Sequence, residues 1–158
     1  MILHKADPDR AYLVEDDPVR PNISYAFRVS NNKDFFVYEN EFTGDAAACI
    51  CVSYNDKIPT TMRELVEFPD FTDPPRIAVF YTVWSYQKGA GREIVFKTVD
   101  WIKENKPNIL RFVTLSPKTK MAERFHLRNG AVLLSENAES NNFEYRNCLL
   151  YTSDAADE

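Results

Sequence analysis

Apolar residues recur along the chain in two spacings, one typical of strands and the other typical of helices. Residues 34–55 predict two strands joined around Gly44, because β-branched and aromatic residues flank a polar turn. Residues 76–86 form a nearly continuous apolar run, which is typical of a central strand covered on both faces. Later strands are predicted at residues 109–116, 131–134 and 141–146.

Signals for helix starts and ends fall between these strands. Thr61 and Glu64 have the spacing of a capping box, which predicts a short helix. A second helix is predicted from an apolar stripe formed by Ile94, Val95, Val99 and Ile102. A third helix is predicted with Ser116 as its N-cap, Pro117 in its first position and Gly130 at its end. This alternation predicts an α+β or α/β sheet domain without internal repeats.

The composition is that of one globular domain. With 158 residues and an apolar fraction of 44%, the chain needs neither disulfides nor a metal to build a core. It has no run of about 20 apolar residues that would span a membrane, and its N-terminus lacks a secretory apolar region. We therefore expect a cytoplasmic protein.

The tail at residues 148–158 differs from the rest of the chain. It resembles the translation of an adapter used in sequencing libraries, so we expect a non-native tail, one native domain over residues 1–147 and a missing native C-terminus. The tail holds three acidic residues and no basic one, so removing them from the 24 acidic residues leaves 21 against 19 basic, a net charge of −2. This balance argues against nucleic acid or an anionic membrane as a partner.

Two cysteines remain outside the tail. Cys49 and Cys51 are two positions apart on a predicted strand and therefore face the same side. No second cysteine pair is present to complete a zinc site, so we predict two buried small apolar residues and no metal.

A pair of glycines, Gly89 and Gly91, lies between the central strand and the second helix. Such a junction presents unpaired backbone N–H groups at the positive end of the helix dipole, and glycine lets a phosphate approach them. Lys88 and Arg92 add local positive charge. The spacing matches neither the dinucleotide-binding GxGxxG nor the P-loop. A pyrophosphate site and a simple tight turn both remain open at this point.

This junction resembles motif A of the GNAT acyltransferase superfamily, R/Q-x-x-G-x-G/A, although Tyr86 replaces the usual first residue. The resemblance implies a GNAT fold, with a central mixed twisted sheet flanked by helices and a coenzyme A (CoA) loop between a central strand and a helix. It also implies that the preceding strand end pairs with the pantetheine arm of CoA. The cofactor-binding residues implied are Val83, Trp84, Gln87, Lys88, Gly89, Ala90, Gly91 and Arg92.

Several segments in the same order resemble the catalytic domain of malonyl-CoA decarboxylase, itself a GNAT fold. DDPVR, near residue 16, is similar to that family's HPVR, FVTLSP is similar to its SLSP or TLSP strand end, and FHLRNGAVL is similar to FHLxNGAVL. The resemblance implies catalytic roles for Ser116 and His126. The implied chemistry is loss of CO2 from a malonyl thioester, with the imidazole as a near-neutral proton donor and Ser116, at a helix N-terminus, orienting the carboxylate.

Two features separate this sequence from the decarboxylase family. Only ten residues separate Ser116 from His126, where the family has a long insertion, and no segment of the 158 residues resembles the family's helical N-terminal domain. One continuous helix would place the two side chains about 15 Å apart, which argues against a direct dyad. His126 also falls where the GNAT pattern LY-x-x-x-G places a tyrosine general acid.

Three functions remain open from the sequence. The first is a malonyl-CoA decarboxylase-like enzyme that converts malonyl-CoA to acetyl-CoA and CO2. The second is an acetyl-CoA-dependent N-acetyltransferase with His126 as general acid and a small amine or a protein as acceptor. The third is a CoA-binding GNAT domain without turnover.

Overall fold

A computed structural model of the protein describes residues 1–68 and 74–146. In this part of the chain, eight strands form one sheet in the order β1-β2-β3-β4-β5-β8-β6, with β7 paired to β8. The strands are β1 (Ile2–Lys5), β2 (Lys33–Glu39), β3 (Ala46–Asn55), β4 (Ile77–Ser85), β5 (Arg111–Thr114), β6 (Ser116–Pro117), β7 (Val132–Glu136) and β8 (Ser140–Glu144). The helices are α1 (Tyr25–Arg28), α2 (Met62–Glu67), α3 (Ala90–Asn105) and α4 (Lys120–Arg128). The α+β class predicted from the sequence is therefore confirmed, whereas the predicted tail at 148–158 lies outside the described residues.

The antiparallel half of the sheet follows the predicted pattern. Strands β2 and β3 form a hairpin around Gly44, whose φ of 78° lies in the left-handed region that glycine adopts at low cost. Strand β4 lies in the middle of the sheet, antiparallel to β3 and parallel to β5. Because β4 is covered on both faces, nearly all its residues are buried, as its continuous apolar run predicts.

Two core clusters lie on opposite faces of the sheet, because successive strand residues point to opposite sides. Phe36 packs with the apolar stripe of α3, whereas its neighbour Phe35 packs with Leu65 of α2 and with Tyr81. Helix α2 has the predicted capping box, with the Thr61 hydroxyl accepting from the Glu64 amide and the Glu64 carboxylate accepting from the Thr60 amide.

Helix α4 ends as predicted and begins later than predicted. Gly130 has a φ of 94°, and the Ala131 amide donates to the His126 carbonyl at 3.0 Å, which are features of a Schellman C-cap. The N-cap is Thr119, whose hydroxyl accepts from the Ala122 amide at 3.1 Å. The prediction of Ser116 as N-cap was wrong, because pairing with β8 holds Ser116 in strand β6.

The N-terminal segment was not predicted from the apolar pattern. A 3-10 helix, Pro8–Asp16, and the short helix α1 cover the face of the sheet that carries Phe35. Among the described residues, the longest helix is the 16-residue α3, and none is long and apolar enough to cross a membrane.

Candidate active site

The site begins where two parallel strands separate. The β4–β5 ladder ends at the pair Phe80 and Thr114, and one further bond joins the Leu115 amide to the Phe80 carbonyl at 3.0 Å. Beyond this point the chain after β5 pairs with β8 instead, through β6. Strand β4 continues to Ser85 with only β3 beside it, so one edge of its last residues is open.

A bulge strengthens this separation. Cys51 pairs with Thr82 and Val52 pairs with Phe80, so Tyr81 is an extra residue in β4. A bulge bends its strand and increases the local twist, which turns the end of β4 away from its former neighbour.

A cavity of about 560 Å³ fills the wedge between the separated strands. Its walls are residues 80–86 of β4 and the turn after it, residues 115–117 around β6, one face of α4, and the N-terminal segment at residues 16 and 18–20. The size is within the range of small-molecule and cofactor sites. The cavity is lined by β4, by Gly91 of the glycine junction and by His126, which is the only buried histidine among the described residues.

The glycine junction adopts the conformation that an anion site needs. Gly89 has a φ of 83° and serves as the N-cap of α3 without a side-chain cap. The Ala90 amide is used inside the turn, donating to the Gln87 carbonyl at 3.2 Å. The amides of Lys88, Gly89 and Gly91 have no acceptor among the described residues. These free donors at the positive end of a 16-residue helix can bind an anion such as a phosphate.

The predicted CoA-binding residues fall into two groups. Val83, Trp84 and Gly91 line the cavity. The others lie in the adjoining turn or first helical turn and do not line it: Gln87, Lys88 and Gly89 are exposed, Ala90 is buried, and Arg92 is half-buried with its guanidinium over the Phe96 ring. No observation tests their role in binding, which stays a prediction.

Gly91 has a second, steric reason to be glycine. A Cβ at this position would lie 3.3 Å from Phe125 Cε1 and 3.7 Å from Ser85 Cβ. Glycine therefore lets α4 approach the start of α3, and Phe125 closes the cavity wall between them.

His126 lies on the cavity wall and is 7% exposed. Its Nδ1 forms a 2.7 Å hydrogen bond with the Tyr145 hydroxyl, and its ring packs against Phe125 and Phe143. Burial lowers the pKa of His126 from 6.5 to about 4. The imidazole therefore carries no charge near pH 7. Its pKa is lower than the value near 7 expected from the sequence, because no acidic partner among the described residues compensates for the lost hydration.

Ser116 lines the same cavity from β6 and is 3% exposed. Its hydroxyl forms a 2.7 Å hydrogen bond with the Thr114 hydroxyl, which in turn accepts from the Phe143 amide. The expectation of a continuous helix between Ser116 and His126 was wrong, because α4 begins only at Lys120. The two side chains line the same cavity, but each has its own hydrogen-bond partner, and no hydrogen bond between them is found among the described residues.

Sequence reasoning missed a polar network at the open end of β4. The Tyr86 hydroxyl donates to Asp16 Oδ2 at 2.7 Å and accepts from Trp84 Nε1 at 3.1 Å. Burial and the bond to Asp16 raise the pKa of Tyr86. The side chain that replaces the usual first residue of the GNAT motif thus anchors the N-terminal segment to the cavity rim.

The N-terminal wall depends on a buried ion pair that the sequence did not reveal. Arg28 and Asp17 have fully buried side chains, and Arg28 Nη1 donates to Asp17 Oδ2 at 2.8 Å. The same carboxylate accepts from the Thr82 hydroxyl on β4 and from the amides of Val19 and Arg20. Asp17 therefore joins the 16–20 segment to β4. Only the DDPVR stretch could have indicated this wall.

The predicted burial of the two cysteines is confirmed. Cys49 and Cys51 are buried and free, and burial raises the pKa of Cys51 to about 12, so the thiol stays protonated. In residues 1–68 and 74–146, no three His, Cys, Asp or Glu side chains are grouped to hold a metal ion.

Comparison with solved structures identifies the fold. A malonyl-CoA decarboxylase from Agrobacterium vitis superimposes with a TM-score of 0.67 at 15% identity, covering 96% of this chain and 63% of that chain. AtaTR bound with acetyl-CoA gives 0.65 at 9% identity, covering 96% and 98%, and a probable acetyltransferase from Staphylococcus epidermidis gives 0.64 at 12%, covering 91% and 97%. The fold is that of the GNAT acyltransferases.

The GNAT fold is what these likenesses show, since all three identities are low. The chain spans 33 to 63% of the length of three malonyl-CoA decarboxylase chains, and nearly the whole length of the two other proteins. No protein-family model and no curated protein matches the sequence.

Proposed function

We propose that this protein is an acyl-CoA-utilising enzyme that decarboxylates a malonyl-type thioester. The observation that carries the proposal is the cavity between β4 and β5, which extends from Gly91 of the glycine junction to His126 and Ser116. The pyrophosphate of CoA would accept hydrogen bonds from the junction, and the thioester would lie at the closed end. The acetyl-CoA named in the AtaTR structure fits the same class of ligand.

The open edge of β4 supports an extended ligand between these two ends. Its backbone groups after Phe80 have no strand beside them on that side, so the amides of a pantetheine arm can pair with them as an added strand would. The path from Tyr86 back to Tyr81 covers five residues, roughly 17 Å at about 3.3 Å per residue. That length separates the phosphate end from the reacting end.

The reaction needs an environment that stabilises an enolate. Cleavage of the bond between the carboxylate carbon and the α-carbon releases CO2 and leaves the electron pair on the thioester as an enolate. The α-carbon then takes one proton from solvent, giving acetyl-CoA. Hydrogen-bond donors fixed near the thioester oxygen lower the barrier to the first step, because charge develops there.

His126 is suited to this task as a neutral group. When the Tyr145 hydroxyl donates to Nδ1, the ring proton is on Nε2, which has no partner among the described residues. A neutral imidazole in this form can donate a hydrogen bond to the oxyanion without losing its proton, and its low pKa keeps it in that form at pH 7. The Ser116 hydroxyl, which lines the same cavity, would orient the carboxylate.

A second candidate is N-acetyl transfer from acetyl-CoA to an amine. One observation favours it. This chain covers 97% of the length of the Staphylococcus epidermidis protein but only 63% of the length of the Agrobacterium vitis decarboxylase. In this reaction His126 would act on the leaving thiolate, and the open cavity side near Met121, which is 82% exposed, would admit the amine.

Incubation of the protein with malonyl-CoA in the absence of any amine tests the proposal. We expect mass spectrometry to show acetyl-CoA accumulating as malonyl-CoA disappears. We expect His126→Gln to lower the rate of this conversion at least tenfold. Arg63→Met is the control, because this side chain on α2 is exposed and does not line the cavity. Intact malonyl-CoA with a folded protein would exclude decarboxylation, and consumption of acetyl-CoA only when amines are added would favour N-acetyl transfer.

A further inference from the structure

Arg20 stands out among the charged side chains of the cavity. Its guanidinium is half-buried on the wall between the N-terminal segment and β4. It forms no ion pair with any described residue, although Asp17 is only three positions away. The Asp17 carboxylate is taken up by Arg28, by the Thr82 hydroxyl and by two backbone amides.

The hydrogen bonds of Arg20 leave one terminal nitrogen available. Nη1 donates to the Tyr81 carbonyl at 2.5 Å, and Nε points to Met62 Sδ at 3.0 Å. Nη2 has no partner among the described residues. Burial lowers the pKa of Arg20, and the nearby charge of Asp17 offsets this only in part. A cation held in this way is costly unless an anion joins it.

The position of Arg20 within the cavity defines which part of a ligand it meets. Arg20 donates a hydrogen bond to the Tyr81 carbonyl, and Tyr81 directly follows Phe80. The Phe80 carbonyl accepts a hydrogen bond from the Leu115 amide at the point where the strands separate. Ser116 follows Leu115, so Arg20 and Ser116 both lie at the closed end of the wedge. The free amides of the glycine junction lie beyond the other end of β4, seven to ten residues after Tyr81. The guanidinium is thus too far from the junction to serve the pyrophosphate.

Asp16, the acidic residue of the cavity lining, forms no ion pair with Arg20. Asp16 accepts a hydrogen bond from the Tyr86 hydroxyl at the open end. The lining of the closed end includes the apolar residues Phe80, Leu115 and Pro117. In such surroundings one guanidinium favours a ligand that carries its own carboxylate, because the charge-assisted bond forms with little competition from water.

We infer that Arg20 is a specificity-determining residue that binds the free carboxylate of a dicarboxylic acyl group, such as malonyl, and selects it over acetyl. The assignment rests on the proposed function, because it needs an acyl-CoA in the cavity. It extends that function by naming the group that recognises the acyl chain and the end of the cavity where recognition occurs.

Two stable CoA thioethers of matched shape provide the test. S-carboxyethyl-CoA carries a carboxylate at the distance of malonyl-CoA and cannot be decarboxylated for lack of a thioester. S-isopentyl-CoA has an isopropyl group in place of the carboxylate. We expect calorimetric titration to give tighter binding of the carboxylate ligand to the wild type by roughly 10- to 100-fold, the range of one hydrogen bond to a charged group.

Two variants separate recognition from a purely structural role of Arg20. In Arg20→Met we expect the preference for the carboxylate ligand to vanish, while the affinity for S-isopentyl-CoA stays within about twofold. A twofold change in affinity is well below the contribution of one hydrogen bond. Arg20→Gln keeps a donor for the Tyr81 carbonyl without the charge, and it should lose the preference as well, even if the methionine variant does not fold. Arg63→Met, on the exposed side of α2, is the matched control and should keep the wild-type preference.

The outcomes distinguish the two claims. If neither thioether binds the folded wild-type protein, the proposed use of acyl-CoA is wrong. If both bind with equal affinity, or if a folded Arg20→Gln or Arg20→Met variant keeps the preference, the role of Arg20 is wrong while the proposed function stands.

Discussion

Replacement of His126 by glutamine should flatten the acid-induced loss of stability. The imidazole is 7% exposed and its pKa is lowered to about 4, whereas the same group in an unfolded chain titrates near 6.5. Between these two values the unfolded state binds the proton and the folded state does not, so protonation favours unfolding. The stability present above pH 6.5 is therefore lost progressively as the pH falls toward 4.

The magnitude follows from the two pKa values. Their difference corresponds to roughly 3 kcal/mol, at about 1.4 kcal/mol per pH unit, of which about 2.5 kcal/mol should already be lost at pH 4.5. Glutamine can still accept from the Tyr145 hydroxyl, but it does not titrate. Urea unfolding of both proteins at several values between pH 7.5 and pH 4.5 isolates the difference, because all other titrating groups are shared.

We expect the free energies of unfolding of the two proteins to converge as the pH falls, with the wild type losing more. Curves that stay parallel down to pH 4.5 would show that the ring is not held neutral. The assignment of a neutral hydrogen-bond donor in the active site would then fail, and a charged imidazole would have to be considered.

Three further variants test the walls of the cavity. Arg28→Met should cost about 3 to 5 kcal/mol in urea unfolding, because it leaves the Asp17 carboxylate buried without its partner; adding Asp17→Asn should restore part of this loss, and an additive loss would refute the pairing. Tyr145→Phe should cost about 1 to 3 kcal/mol at pH 7 through the unpaired ring nitrogen, and unchanged unfolding would contradict it. Gly91→Leu should weaken CoA binding at least tenfold, since even a Cβ would lie 3.3 Å from Phe125 Cε1; unchanged affinity in calorimetry would place CoA elsewhere.

Local signals predicted those elements whose partners are close in sequence. The capping box at Thr61 and Glu64 and the C-cap at Gly130 appear as expected, because a side chain or a left-handed glycine three to five residues away decides them. The burial of β4 also follows from its own composition, since only a strand covered on both faces tolerates such a run.

Long-range contacts decided the features that were missed. Both Ser116 and Thr119 are good N-caps by local chemistry, and pairing of Ser116 with Asn141 on β8 is what leaves the cap to Thr119. The low pKa of His126 arises from burial, and the side chains packed against its ring include Phe143 and Tyr145, which lie 17 and 19 positions later. No periodicity in one sequence reports such contacts.

The same limit applies to the N-terminal wall. Arg28 and Asp17 are charged residues in a polar stretch, so composition alone favours solvent exposure. They are buried because Asp17 also satisfies Thr82 on a strand 65 positions later. The resemblance of DDPVR to a known motif marked the segment but not the reason for it.

The central claim, that the cavity binds CoA, is tested most directly by calorimetric titration of CoA into the folded protein. The titration is done at two temperatures, so that a vanishing enthalpy is not mistaken for absence of binding. The claim predicts one CoA bound per chain, with an affinity that Gly91→Leu weakens and Arg63→Met leaves unchanged. A folded wild-type protein that releases or absorbs no heat with CoA at either temperature would contradict it.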